Sequence, residues 1–395
     1  MDSPHYFRQK GADAERVIHD LANKTFFVDW CYPNPKKPDG KELCDCLIVF
    51  DDTAIIWQIK DLKVDEQGRY KKAEVEKNLR QLAGARRALF DLREPIVLMN
   101  PRRGAEQFKP EAIKHIHLIS VLMGEGEEPF PFVQEYKNRQ IHVFTREFAD
   151  IALSELDTVA DFRKYLQDKE QIDPTKHLIV AGGEQNLLAK YLENEHSFKW
   201  MDQADLFYFD ETNWPAFIKN PQVIAKKHAD KVSQGWDSLI NRAHEGSARY
   251  ELVARELARP DRFTRRVLSQ YFLEAYAEMR NGRHELFRRN FALKDTTYCF
   301  LLTYDAGDTR REQRRNMLQA MCFVARGLPP FNKRVVGVST DRDNTNYDFC
   351  FLHMPEWTGE DEKRKKQIQA ETGIFVSPRL TTSSEDEYPV LKKRP

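Results

Sequence analysis

The stretch Ile55-Ile56-Trp57-Gln58-Ile59-Lys60, "IIWQIK", decides how the N-terminal part of the chain is read. Side chains of a strand alternate with period two, so Gln58 and Lys60 leave one face and Ile55, Trp57 and Ile59 the other. An amide and an ammonium at adjacent same-face positions of an apolar strand call for polar partners, because an unmatched buried polar group is costly. The preceding strand candidate, 43–50, carries one carboxylate, Asp45, in an otherwise apolar run. Asp51-Asp52 separates it from the second strand, 54–60, and is short and polar, as a hairpin turn should be. Closing that turn sets Asp45 across from the neighbourhood of Gln58 and Lys60. Upstream, "GADAERVIHDLAN" (11–23) has Ala14, Val17, Ile18, Leu21 and Ala22 at helical spacing, with Glu15 among them.

These residue types suit one chemistry. Mg2+ takes hard oxygen ligands and usually one or two carboxylates, leaving waters for reaction. Such an ion activates water and stabilises charge on a phosphoryl oxygen. A neighbouring lysine can orient or deprotonate the attacking water, or neutralise the developing charge. The structural alternative is an ion pair of Lys60 with Asp45 at a strand end, and it accounts for neither Gln58 nor Glu15.

Asp45, twelve intervening residues and then Gln58-Ile59-Lys60, on a strand–turn–strand with an upstream Glu15, resembles the PD-(D/E)xK nuclease superfamily. The glutamine in the acidic position resembles the Mrr-type branch with its QxK signature. The resemblance covers residues 10–125 and includes "NLRQLAGARRAL" (78–89) as the core helix, but not the second half. It implies a restriction-endonuclease-like α/β domain with a mixed central sheet between helices. It implies Asp45 as the main metal carboxylate, Gln58 as an oxygen ligand, the Ile59 carbonyl as a further ligand and Lys60 as the group acting on water. Glu15 holds a second metal or its water, and Gln81 contacts the phosphate or the lysine. Mg2+ is the implied cofactor, with Mn2+ as a substitute. Double-stranded DNA is the implied partner and restriction or anti-phage defence the setting, with a dimer or higher homo-oligomer cutting both strands. Gln58 makes the site one charge less negative than a glutamate would. Members of the superfamily can also lose catalysis and keep only binding, so an inactive module that binds nucleic acid or a partner protein is the second reading. A ligand-activated nuclease with a C-terminal sensor is the third. Pro38-Asp39 lies in a loop, "YPNPKKPDGKE", and is not the motif.

The 395 residues, 41% hydrophobic and 31% charged, suit a soluble globular chain of two or three domains. No apolar window reaches the length of a membrane span and the N-terminus has no apolar core segment, so a cytoplasmic protein with no membrane partner is expected. The six cysteines are scattered and read as free thiols; Cys31, Cys44 and Cys46 lack zinc-site spacing. Net charge is zero, but 226–294 and "TRREQRR" (309–315) are arginine-rich. Arg262, Arg265 and Arg266, in "RPDRFTRRVLSQYFLEAY", are the candidate DNA contacts. The competing reading makes the stripe amphipathic packing, with Val267, Leu268, Tyr271, Phe272 and Ala275 inward.

Further helices are expected over 73–92 and 146–168, and strands over 95–99, 115–123 and 140–144, completing the first α/β domain at 1–172. "QIDPTKH" (171–177) marks the boundary. The second, helix-rich α/β domain, 173–380, opens with "HLIVAGG" and a helix, then runs helical from 214 to 293, with Asn281-Gly282 breaking the run and Pro260 ending one helix or starting the next. Strands at 298–305, in "RVVGVSTD" and in "YDFCFLHM", and helices at 309–326 and 359–371, complete it. Residues 381–395 are polar and expected to be disordered. Gly182-Gly183 read as an ordinary strand-to-helix turn, and His115 and His117 as surface or packing residues rather than ligands.

Overall fold

The computed structural model describes residues 16–389, apart from 17, 21, 63, 93–94, 125, 127–132, 247–249, 283–284, 305–307, 345 and 379–383. The chain divides into two compact units, Met1–Ile224 and Ala225–Pro395. No helix among the described residues is long and apolar enough to cross a membrane.

The first unit is built on a mixed sheet of six strands in the order β1-β2-β3-β6-β8-β7. These are β1 (Cys31–Pro33), β2 (Cys46–Phe50), β3 (Thr53–Lys60), β6 (His115–Leu122), β7 (Val133–Glu135) and β8 (Gln140–Thr145). A separate hairpin is made by β4 (Val97–Asn100) and β5 (Gly104–Gln107), and β9 (His177–Val180) pairs in parallel with β10 (Leu206–Phe209). Its helices are α1 (Lys72–Phe90), α2 (Arg146–Glu155), α3 (Val159–Glu170), α4 (Gln185–Glu193) and α5 (Asn213–Lys219), with α6 (Pro221–Asp230) at the division. The hairpin β2–β3 is antiparallel, closed by Asp51 at positive φ and Asp52. β3, β6 and β8 then run parallel, and the β3-to-β6 crossover carries the helix α1.

β3 is central and buried on both faces except at Lys60. One face presents Ala54 and Ile56, beside Leu118 and Leu122 of β6, to Val75, Leu79, Leu82 and Leu89 of α1. The other presents Trp57, whose ring stacks on Phe162 of α3 at 5.7 Å and meets Phe144 of β8 edge-on at 6.2 Å. A strand covered on two sides reads as a nearly continuous apolar run, and "AIIWQI" is one.

The second unit has a four-stranded sheet in the order β11-β12-β13-β14, from β11 (Leu286–Leu293), β12 (Thr296–Thr303), β13 (Arg334–Asp341) and β14 (Asp348–His353). Its helices are α7 (Gln234–Gly246), α8 (Glu251–Ala258), α9 (Arg262–Arg280), α10 (Asp308–Arg326) and α11 (Gly359–Thr372). One sheet face packs Cys299, Leu301 and Val335 against Leu318, Met321 and Cys322 of α10. The helix comes so close that a Cβ on Gly337 would lie 2.6 Å from Cys322 Sγ. The other face carries Phe300, with Phe272 of α9 edge-on at 5.3 Å.

The α/β class expected from the sequence is the one observed, with four local differences. "QIDPTKH" is a turn inside the first unit, because Tyr165 and Lys169 of α3 bond the buried Glu184 and Tyr165 packs on Tyr191, which ties 173–193 to the same core. The span 146–168 is two helices, broken where Thr158 caps α3 by accepting from the Asp161 N–H at 3.1 Å. The helical run breaks after Arg280, at the expected Asn281-Gly282, but beyond it 286–293 is a strand and not a further helix. Phe287 and Phe291, four apart, satisfy both the helical and the strand period, and pairing with β12 decides between them. In the segment read as disordered, Arg266 donates to the carbonyls of Asp386 (2.8 Å) and Glu387 (3.0 Å), and Lys226 pairs with Glu387.

The arginines of "TRREQRR" are not a free basic face. Arg311, Arg314 and Arg315, at i, i+3 and i+4 on α10, all bond the buried Asp348, at 3.0, 2.8 and 2.6 Å. Arg314 also holds Asp341 at 3.0 Å. Burial alone would raise the Asp348 carboxyl, but hydrogen bonds from the three guanidinium groups outweigh it and hold it below the ordinary value. A depressed folded-state value contributes stability that is complete above the unfolded value of about 4 and fades as pH falls through the folded one. The second unit should therefore lose stability below about pH 4. Asp348→Asn should cost about 3 kcal/mol or more at neutral pH in urea unfolding, and flatten the acid loss. Equal stability of the variant at pH 7 would remove this cluster as a support of the unit.

Candidate functional site

The polar residues of β3 meet their partner at the end of the hairpin. Asp45 directly precedes β2 and is 2% exposed; Gln58 is 5% exposed. Gln58 Nε2 donates to Asp45 Oδ2 at 2.6 Å, and the Ile59 backbone N–H donates to the same oxygen. The last paired residues of the two strands are Cys46 and Trp57, and the Asp45 N–H continues the ladder to the Trp57 carbonyl at 3.1 Å. Beyond that point the carboxylate takes over the role of a neighbouring strand for Ile59. Ile59 thus enters the site through its N–H. Lys60 is half-buried at the rim, on the Gln58 face, and forms no ion pair with Asp45 or with any other described carboxylate. The Asp45–Lys60 pair of the structural alternative is absent, and Asp45 is held by Gln58 instead.

Two residues outside the motif join this face. Ser120 lies beside Gln58 in the β3–β6 register, and its hydroxyl accepts from Asn78 Nδ2 of α1 at 2.7 Å. Asn78 Oδ1 is buried without a donor among the described residues. His19 Nε2 donates to the Asp45 carbonyl at 2.9 Å, which fixes the backbone that carries the carboxylate. The helical spacing of "NLRQLAG" could have singled out Asn78: it sits in line with Leu82 and Ala85 on the buried stripe. Gln81, the expected contact from this helix, is exposed. Glu15 lies outside the described residues. Of the oxygen donors a hard cation takes, the described residues supply the Asp45 carboxylate, with the Gln58 amide turned to it through its nitrogen and its oxygen without a donor among the described residues. Asp45 is the one carboxylate the described residues bring to it.

The arginines expected to contact DNA are committed elsewhere. Arg265 is fully buried; it bonds Asp237 at 2.8 Å and the carbonyls of Pro260 and Ala258. Arg266 is buried against Asp230, and Arg262 bonds Asp237 and Ser233. They close the start of α9 onto α7, so the packing reading of this stripe holds for Arg265 and Arg266. Val267, Leu268, Phe272 and Ala275 are buried beside them.

The opposite sheet face holds a group that motif reading passed over. His117 of β6 and His142 of β8 are both buried, and His117 Nδ1 and His142 Nε2 each donate to Glu170 Oε1 at 2.8 Å. The cysteines are free; burial pushes the Cys46 thiol up to about 12, so it stays protonated. Gly182 and Gly183, both at positive φ, turn β9 into α4, and their carbonyls are occupied by the Gln185 and Asn186 side chains.

Removing each polar group of the hairpin should separate its roles. Lys60→Ala should shift unfolding free energy by less than about 0.5 kcal/mol, since no described carboxylate is paired with it. Asp45→Ala should cost about 2 kcal/mol or more by stranding both the Ile59 N–H and the Gln58 amide. Urea titrations measure both, and an undiminished Asp45→Ala would mean the carboxylate does not hold the hairpin end. Comparison of the chain with protein-family models, with curated proteins and with solved structures finds no match.

Proposed function

We propose that the chain is a metal-dependent nuclease that hydrolyses phosphodiester bonds in duplex DNA, using Mg2+ or, in its place, Mn2+. One observation carries this reading. At the end of β2–β3 a buried carboxylate is held by the Gln58 side-chain N–H, and an ammonium without a counter-carboxylate among the described residues shares their strand face. Asp45 and Gln58 would hold the cation, which when bound supplies a Lewis acid beside the scissile phosphate. The Ile59 N–H and the Gln58 amide fix the Asp45 carboxylate in advance, so little reorientation is needed on binding. Lys60, free of any described carboxylate and open to solvent at the rim, can hold an attacking water or take up its proton. Neutral Gln58 makes the cation affinity lower than a glutamate would. Cutting of both strands calls for two copies of the chain, and restriction or anti-phage defence is the setting by analogy with the resembling family.

The test is cleavage of circular and linear duplex DNA, and of RNA, by tag-free protein with Mg2+, Mn2+ or EDTA. Wild type should cut with metal only, and Lys60→Ala and Asp45→Asn should each lose about 100-fold or more. Cutting that survives in Lys60→Ala would put the site elsewhere. DNA retention without cleavage, unaltered in Lys60→Ala, would replace this reading by a binding module.

A cleft of about 970 Å3 in the second unit favours the ligand-activated variant of this reading. Arg288, Arg289 and Lys294 line it together with the stacked rings of Tyr271 and Phe291, 4.4 Å apart. Cations beside stacked rings suit a small anionic aromatic ligand such as a nucleotide. In that case cleavage appears only when nucleotides are added, and Arg289→Ala abolishes the response while leaving metal binding intact.

A further inference from the structure

We propose that His117, His142 and Glu170 form a site for a divalent transition-metal ion, Zn2+ by its ligand chemistry, on the sheet face opposite Gln58 and Lys60. The proposal stands apart from the nuclease reading and uses none of its residues.

The fold brings the three together from distant segments. β6 and β8 are adjacent and parallel, with Ile119 opposite His142, so His117 lies one pleat back on the same face. The two rings are 6.4 Å apart between centroids. Glu170, the last residue of α3, lies over both. One ring nitrogen of each histidine and a Glu170 carboxylate oxygen all lie within 4.8 Å of one another. The two nitrogens are each 2.8 Å from one oxygen, Oε1. A tetrahedral Zn2+ with bonds of ~2.0–2.1 Å needs ligand atoms about 3.3 Å apart, so each nitrogen would draw back from Oε1 by about half an ångström. Two imidazoles and a carboxylate favour zinc or a neighbouring transition metal over Mg2+ or Ca2+.

Other features agree. Burial pushes His142 down to about 4, so its ring is neutral at pH 7, the form that coordinates. Glu170 ends a helix, where the dipole favours a cation. Its side chain is 21% exposed, so water can reach a fourth position. The far ring nitrogens, His117 Nε2 and His142 Nδ1, are buried without partners among the described residues. Metal binding makes both of them N–H donors with no acceptor, which sets the affinity below that of a site with a complete outer shell. The ion would act as a staple joining β6, β8 and the end of α3.

Tag-free, metal-stripped protein is titrated with Zn2+ and with Co2+. One equivalent should bind, Co2+ should give the visible absorption of a low-symmetry N/O site, and Zn2+ should raise the thermal midpoint. Glu170→Gln keeps an acceptor for the two rings and so is the variant expected to fold. It and His142→Gln should weaken binding by more than about tenfold, while Lys60→Ala leaves it unchanged. In wild type, Zn2+ should also slow deuterium exchange at the ring carbons of His117 and His142, which needs no variant. Absent stoichiometric binding, equal binding by Glu170→Gln, or unprotected rings in the zinc-loaded wild type would each overturn the site.

Discussion

A strand covered on both faces cannot leave a polar atom unmatched, and β3 is such a strand. Its pairing with β2 stops at Trp57 and Cys46, one residue before Gln58, while β3 runs on to Lys60. The Ile59 N–H and the Gln58 amide would then face apolar surroundings on the β2 side, at a cost of about 1–3 kcal/mol each. A single carboxylate oxygen of Asp45 takes both. The hairpin end is thus closed by a side chain in place of a ladder bond. The same bonds fix the direction of the one carboxylate that the described residues offer a cation there.

The period of two keeps the polar groups of this sheet in separate sets. Asp45, Gln58, Ser120 and Asn78 lie on the α1 side; His117, His142 and Glu170 lie on the α3 side, with the apolar residues of each face packed around them. Lys169 beside them is ion-paired with Glu184, so it is not a free charge among the imidazoles. Chemistry on one face can change without disturbing hydrogen bonds on the other.

In the second unit charge serves the interior. Arg265, Arg266 and Arg314 are buried, and each ends on a carboxylate. A buried guanidinium makes several directional bonds at once, which specifies how helix and sheet meet even where the net gain in stability is small. An arginine-rich stretch in a chain of zero net charge is therefore as compatible with internal pairing as with a phosphate backbone, and position relative to Asp237, Asp230 and Asp348 separates the two.

By itself the sequence determined the hairpin, read as 43–50 and 54–60, the helix read as 73–92, and the meeting of Asp45 with Gln58. All three follow from short-range rules: strand and helix periods, and a two-residue turn that leaves only one register. Only the tertiary structure decided that 286–293 is a strand, that the arginines of α9 and α10 are bonded inward, and that Asn78 rather than Gln81 faces the sheet polar line. It also brought Glu170 onto His117 and His142, 53 and 28 residues away. These outcomes depend on which distant segments pair, and a parallel strand neighbour or an ion-pair partner leaves no periodic trace in the chain around it.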